Sequence, residues 1–180
     1  MGNDRNDAPH TRNVHAAIDR DMSIFHQIIF SSPLTSLDLC RFSFGKVQDF
    51  LDFFTSLPDT LSQLKLISCR LPPYNDRFLQ KLTLSNHEGS GVLPHLTVLD
   101  LSNTLLEFND ASLLLTMVES RWRVEESQEQ KRLSRVHFTW TEEQNHIVSS
   151  RLAAFADEGL RVEVTIALDN LAIYRPFEVL

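Results

Sequence analysis

The chain has only two cysteines, Cys40 and Cys69, in 180 residues. Two thiols build neither a disulfide scaffold nor a four-thiolate zinc site. No Asn-x-Ser/Thr sequon occurs, and the opening Met-Gly-Asn-Asp-Arg-Asn-Asp is too polar for a secretory signal. Gly2 invites a myristoylation reading, but Asn6 stands where that signal needs Ser or Thr. No apolar run approaches the ~20 residues of a membrane span. Positive charge is scarce as well: 17 Lys and Arg against 24 Asp and Glu leave a net charge of -7, which speaks against a general nucleic-acid binder. These absences predict a cytoplasmic protein, with the nucleus as the other open compartment, and neither membrane nor nucleic acid as partner. The length fits one domain with a real core.

Catalytic signatures are missing too. His10, His15, His26, His87, His95, His137 and His146 form no HExxH and no zinc spacing with the cysteines. Glu88-Gly-Ser-Gly-Val92 lacks the Lys of a phosphate-binding loop, and its glycines are too close for a G-x-S-x-G nucleophile elbow. It reads as a turn. The acid pairs Asp49/Asp52, Glu125/Glu126 and Glu142/Glu143 read as solvated faces, the last in a helix first turn where the dipole favours it. The expectation is no enzyme, no cofactor and no metal.

What is present is internal repetition. The pattern L-x-x-L-x-L occurs as Leu34-Leu37-Leu39, Leu61-Leu64-Leu66, Leu79-Leu82-Leu84 and Leu96-Leu99-Leu101. Leu133-Val136-Phe138 keeps the spacing, and Leu160-Val162-Val164 keeps only the strand alternation. The second copy continues to Cys69 and Leu71, the fourth to Thr104 and Leu106, the first to Phe42 and Phe44. This is the leucine-rich-repeat signature: the inner leucines enter a solenoid core, and the Cys, Asn or Thr position satisfies backbone groups at the turn. Copy starts are 27, 18, 17, 37 and 27 residues apart. The long steps have room for a helix, the short ones only for a turn, and the 37-residue step for an insertion.

Helical periodicity falls in the long steps. Val47, Phe50, Leu51 and Phe54 form one stripe. Ala111, Leu114, Leu115, Val118 and Trp122 form another after Asp110 as N-cap. Thr141-Glu-Glu-Gln opens a third helix with a capping box; it buries Val148, Leu152 and Phe155 and stops at Gly159. The predicted fold is an α/β leucine-rich-repeat solenoid with about five to six irregular repeats, short parallel strands on the concave face, and helices or loops on the convex face. Residues 1–12 are expected to be disordered, and 13–180 to form one domain. Within it, residues 14–30 form a capping helix, 34–166 the repeats, and 167–180 the far cap.

Residues flanking the inner leucines then point away from the core. Those taken as protein-binding are Ser36 and Asp38; Gln63, Lys65 and Ile67; Lys81 and Thr83; Val98, Asp100 and Ser102; Arg135 and His137; and Arg161 and Glu163. Mixed charge with Ile67 and Val98 suits a protein partner better than a phosphate track. The aromatic cluster Phe42, Phe44, Phe50, Phe53 and Phe54 reads as repeat core.

Leu96-Thr-Val-Leu-Asp-Leu-Ser-Asn, Leu115-Thr-Met-Val-Glu-Ser-Arg-Trp122 and Gly159-Leu-Arg-Val-Glu-Val164 resemble the ribonuclease-inhibitor-like repeat region of fungal F-box-type proteins. The resemblance covers roughly residues 34–166. It implies a substrate-recruiting repeat domain of a cullin-based ubiquitin ligase. No F-box is found: the region before Leu34 has room for one helix, not three. Ligase components are therefore expected as partners only if an F-box is supplied elsewhere. The alternative expectation is a truncated structural remnant that recruits nothing.

Overall fold

Strand alternation decides the layers of this protein. Leu37 and Leu39, Leu64 and Leu66, Leu99 and Leu101, Val136 and Phe138, and Val162 and Val164 are all buried in one apolar core. The computed structural model describes residues 34–72, 76–84, 91–105, 110–125, 130–168 and 171–176. Their elements run β1 Ser36–Cys40, α1 Val47–Ser56, β2 Gln63–Ile67, α2 Asp76–Leu82, β3 Val98–Leu105, α3 Ala111–Trp122, β4 Arg135–Thr141, α4 Glu142–Asp157, β5 Arg161–Leu168 and β6 Leu171–Pro176. One open sheet follows chain order, β1-β2-β3-β4-β5-β6. The first five strands are parallel, and β6 lies antiparallel on β5. The expected disordered start and the capping helix at 14–30 lie outside the described residues.

All four helices send buried side chains into that single core, so they cover one face of the sheet. In α3 the Asp110 side chain accepts from Ser112 N at 2.8 Å, and Leu114, Leu115, Val118 and Trp122 are buried as their spacing predicts. In α4, Thr141 Oγ1 accepts from Gln144 N, and Gln144 Oε1 in turn accepts from Thr141 N. Gly159, at φ +104°, ends that helix in a conformation other residues adopt with strain. α1 departs from expectation at one position. Val47 is exposed, while Phe50, Leu51, Phe53 and Phe54 are buried as expected. Lys46, at the N-cap, makes no side-chain capping bond, and residues 46–49 are all exposed.

The larger correction concerns Leu79-Leu82-Leu84, read from the sequence as a third strand. Leu79 and Leu82 lie in α2 and are buried there with Phe78. An L-x-x-L step is also the i, i+3 step of a helix, so the motif alone does not separate the two. Lys81 is therefore exposed on a helix, and Thr83 follows its end, donating from Oγ1 to Leu79 O at 2.8 Å. Neither belongs to the sheet face. The two short steps merge into one long connection from β2 to β3, with room for a helix like the others.

Candidate functional site

The sheet face opposite the described helices is built by backbone pairing that aligns equivalent residues of successive strands. Just before the strands, Thr35, Ser62, Thr97 and Ser134 form a hydroxyl ladder. Ser62 Oγ, Thr97 Oγ1 and Ser134 Oγ each donate to the carbonyl of the preceding member at 3.0, 3.1 and 2.9 Å. At the far end of β1, β2 and β3 the chain kinks through Arg41, Ser68 and Asn103, at φ 57°, 55° and 54°. A non-glycine residue in this region costs about 1–2 kcal/mol. Each kinked N–H is received by the next strand: Arg41 N by Ile67 O, Ser68 N by Ser102 O, and Asn103 N by Thr139 Oγ1.

The next position does what the repeat pattern predicts. Cys69 Sγ donates to Leu39 O at 3.3 Å, and Thr104 Oγ1 donates to Leu66 O while accepting from Cys69 N at 3.0 Å. Burial pushes the Cys69 thiol up to about 11, so it acts as a protonated donor rather than a nucleophile.

With register fixed, two rows cross the outer face. One is Ser36, Gln63, Val98, Arg135 and Arg161; the other is Asp38, Lys65, Asp100, His137 and Glu163. The structure thus brings these ten expected residues together. Ile67 pairs with Cys40 one step further along, and Ser102 precedes the kink in β3.

The β3–β5 end of the second row is a closed polar network. His137 Nδ1 lies 3.5 Å from Asp100 Oδ1 and 3.6 Å from Glu163 Oε2, and Nε2 lies 2.9 Å from Thr165 Oγ1. Burial pushes the His137 imidazole below the usual histidine range, against the opposing pull of Asp100 and Glu163. The neutral tautomer that fits carries its proton on Nδ1, toward the carboxylates, and accepts from Thr165 at Nε2. Glu163 accepts from Arg135 Nη2 at 2.9 Å and from Arg161 Nε at 2.7 Å. Burial would raise the Glu163 carboxyl, but the two arginines outweigh it and hold it below the usual carboxylate range. Two buried atoms of this face, Asp38 Oδ1 and Arg135 Nε, have no hydrogen-bond partner.

Thr165, His137 and Asp100 share the connectivity of a nucleophile–base–acid relay. Thr165 is only 3% exposed and sits in mid-strand, where its backbone belongs to the ladder with β4 and β6. Among the described residues, no group of three or more His, Cys, Asp or Glu is arranged to hold a metal ion.

Sequence reasoning missed the buried cation Arg121. Its side chain is fully buried on the helix side and donates to three backbone carbonyls: Nε to Leu82 O, Nη1 to Leu93 O at 3.0 Å and Nη2 to Val92 O at 2.6 Å. Burial lowers its guanidinium to about 10. It sits seven residues after Leu114, on the apolar stripe of α3, and that periodicity was the available signal. Nearby, the Arg132 guanidinium lies 3.4 Å above the Trp122 ring, and Trp122 Nε1 donates to Glu158 at 2.9 Å. These residues line an open cleft of about 660 Å³ with Arg123, Val124 and Glu125.

Comparison with protein-family models, with curated proteins and with solved structures returns no match. Among the described residues, no helix is long and apolar enough to cross a membrane.

Proposed function

We propose that this chain is a leucine-rich-repeat solenoid that works as a non-enzymatic protein-interaction module, with the outer sheet face as its binding surface. The observation that carries this reading is the pair of in-register rows on the face opposite the described helices. Five parallel strands in chain order hold side chains of both charges, together with Val98 and Ile67, on a rigid frame. Rigid scaffolds present such groups with little ordering entropy left to lose on binding. The resemblance to F-box-type repeat regions supports substrate recruitment to a ubiquitin ligase as the setting, with the F-box supplied elsewhere. The cytoplasm or nucleus is the matching compartment.

The test is affinity purification of the tagged chain from its own cells, read by mass spectrometry, beside the Ile67→Asp variant. Ile67 is half-buried on the outer face, so an added charge there disturbs docking more than folding. A partner captured by the wild type and lost with Ile67→Asp supports the reading; co-recovered ligase subunits support its setting. A partner retained by the variant moves the binding surface elsewhere. No capture above background favours the structural remnant.

A further inference from the structure

The charges of the outer face cancel in number but not in height. Its three carboxylates lie deep: the side chains of Asp38, Asp100 and Glu163 are 14%, 10% and 9% exposed. Its three cations stand higher: Lys65, Arg135 and Arg161 are 33%, 34% and 68% exposed. Long basic stems reach past their neighbours and keep their heads in water, and here the acids beneath hold them upright. Glu163 is one carboxylate shared by two guanidiniums, and the second acid of this cluster, Asp100, lies deep beside His137, so the cations are the outermost charges of the β4–β5 end. Arg135 Nε also lacks an acceptor. His137, between Asp100 and Glu163, is neutral. An arriving molecule therefore meets an outer cationic layer on a chain whose net charge is -7.

Building on the reading of this face as a protein-binding surface, we infer that its partner is an acidic, extended peptide segment with an apolar residue among its carboxylates. Arg135 and Arg161 are in register on adjacent strands, so they lie about 5 Å apart at the backbone and suit one carboxylate. Lys65 lies two strands from Arg135 and two residues further along, in the second row. That separation is about 12 Å, the reach of about three to four extended residues. Val98 lies between the two positive points, in register with Arg135, and Ile67 lies two residues beyond Lys65. Both are half-buried and offer an apolar seat. A nucleic acid fits less well. The two rows hold no Phe, Tyr or Trp for base stacking, and the His137 ring is buried; the cations are too few and interrupted for a phosphate track, and the whole chain repels a polyanion.

The experiment is selection from a display library of random eight-residue peptides. The full chain is the bait, as wild type, as Arg135→Glu/Arg161→Glu, and as Ile67→Asp. Affinities of selected peptides are then measured at low and high salt. The expected result is enrichment of Asp and Glu with depletion of Lys and Arg on the wild type. The double charge reversal should weaken the selected peptides ten-fold or more, and salt should weaken them too. Peptides without charge preference, or enriched in basic residues, overturn the acidic partner; if Ile67→Asp still abolishes them, the protein-binding reading survives. A single-stranded oligonucleotide that binds where acidic peptides do not overturns the choice of partner class. No enriched peptide on any bait overturns both readings.

Discussion

On the helix side of the sheet, Leu37, Leu64, Leu99 and Val136 stand in one row and are fully buried. On the other side, Asp100, His137 and Glu163 are each 7% exposed although all three can ionise. The first face is held by the removal of apolar surface from water, which needs no particular partner. The second is held by specific pairing: carboxylate to guanidinium, imidazole to hydroxyl. A buried polar group is tolerated only while its partner is present. Among the described residues the helix side also holds specifically paired groups, Arg121 and the Cys69–Thr104 pair, and the outer side has apolar character at Ile67 and Val98. Stability therefore resides mainly on one face, which leaves the other free to specify contacts.

The sharpest way to break this contrast is to truncate neighbours that point opposite ways. Leu99→Ala should destabilise the protein by about 3–4 kcal/mol, because lost transfer energy and a residual cavity add. Val98→Ala, one residue earlier on the outer face, should cost about 1 kcal/mol or less. Urea denaturation of the two variants measures the difference. Equal losses would mean that both faces are core.

Arg121→Met comes next in size, at about 2 kcal/mol. Removing the cation relieves its own desolvation but leaves the carbonyls of Leu82, Val92 and Leu93 without donors. Leu82 ends α2, where a cation also meets the negative end of the helix dipole. Leu93 carries a left-handed backbone, φ 60°, which the arginine helps to hold. Gly91 fits close to Leu84, where an added Cβ would lie 2.8 Å from its Cδ2. Arg121 thus fastens the approach to β3, and faster hydrogen exchange at Leu93 and Leu96 should accompany the loss of stability.

Much of the fold was legible because the repeat writes apolar positions at fixed offsets, and four strands fall where those offsets predict. The error at Leu79-Leu82-Leu84 arose because L-x-x-L serves strand entry and helix equally. The discriminating residue lay one place inside the motif. The four full-spaced copies that precede a strand carry Thr35, Ser62, Thr97 and Ser134 there, whereas the helical copy carries Gln80 and the looser copy before β5 carries Arg161. Only a short hydroxyl reaches back to the previous repeat's carbonyl, so the ladder selects Ser or Thr; Gln is a good helix former. On the candidate face, alternation was enough to pick the rows. It could not show which charges lie deep, because depth depends on how neighbouring side chains cover one another across strands. Arg121 was hidden for a related reason: a cation on an apolar stripe makes sense only once three carbonyls from distant segments surround it.

Acid should distinguish the faces next. The His137 imidazole is pushed below its ordinary value of 6.5, so the unfolded chain takes up that proton first as pH falls. Stability then drops as pH decreases from near neutrality through the ordinary histidine range, and levels off below the lowered folded value. The slope is at most about 1.4 kcal/mol per pH unit for one proton. Glu163 acts separately and lower: its stabilisation is present above the ordinary carboxylate value and is lost as pH falls through its depressed folded value. Thermal melts at successive pH values should show the upper step in the wild type and not in His137→Gln. A slope unchanged by that substitution would place the titration elsewhere.

The smallest expected effect separates folding from recognition. Arg161 is about two-thirds exposed and pairs with Glu163 at the surface, where solvent screens an ion pair to about 0.5 kcal/mol or less. Glu163 keeps its bond from Arg135 when Arg161 is removed, so no buried carboxylate is orphaned. Arg161→Ala should therefore leave the urea midpoint nearly unchanged while weakening an acidic peptide on the outer face. Arg135→Ala should do more to both, because that side chain is half as exposed and donates to Glu163. Should Arg161→Ala destabilise the fold as much as Arg135→Ala, the outer cations would belong to the folding network, and the division of labour between the two faces would fail at its most exposed point.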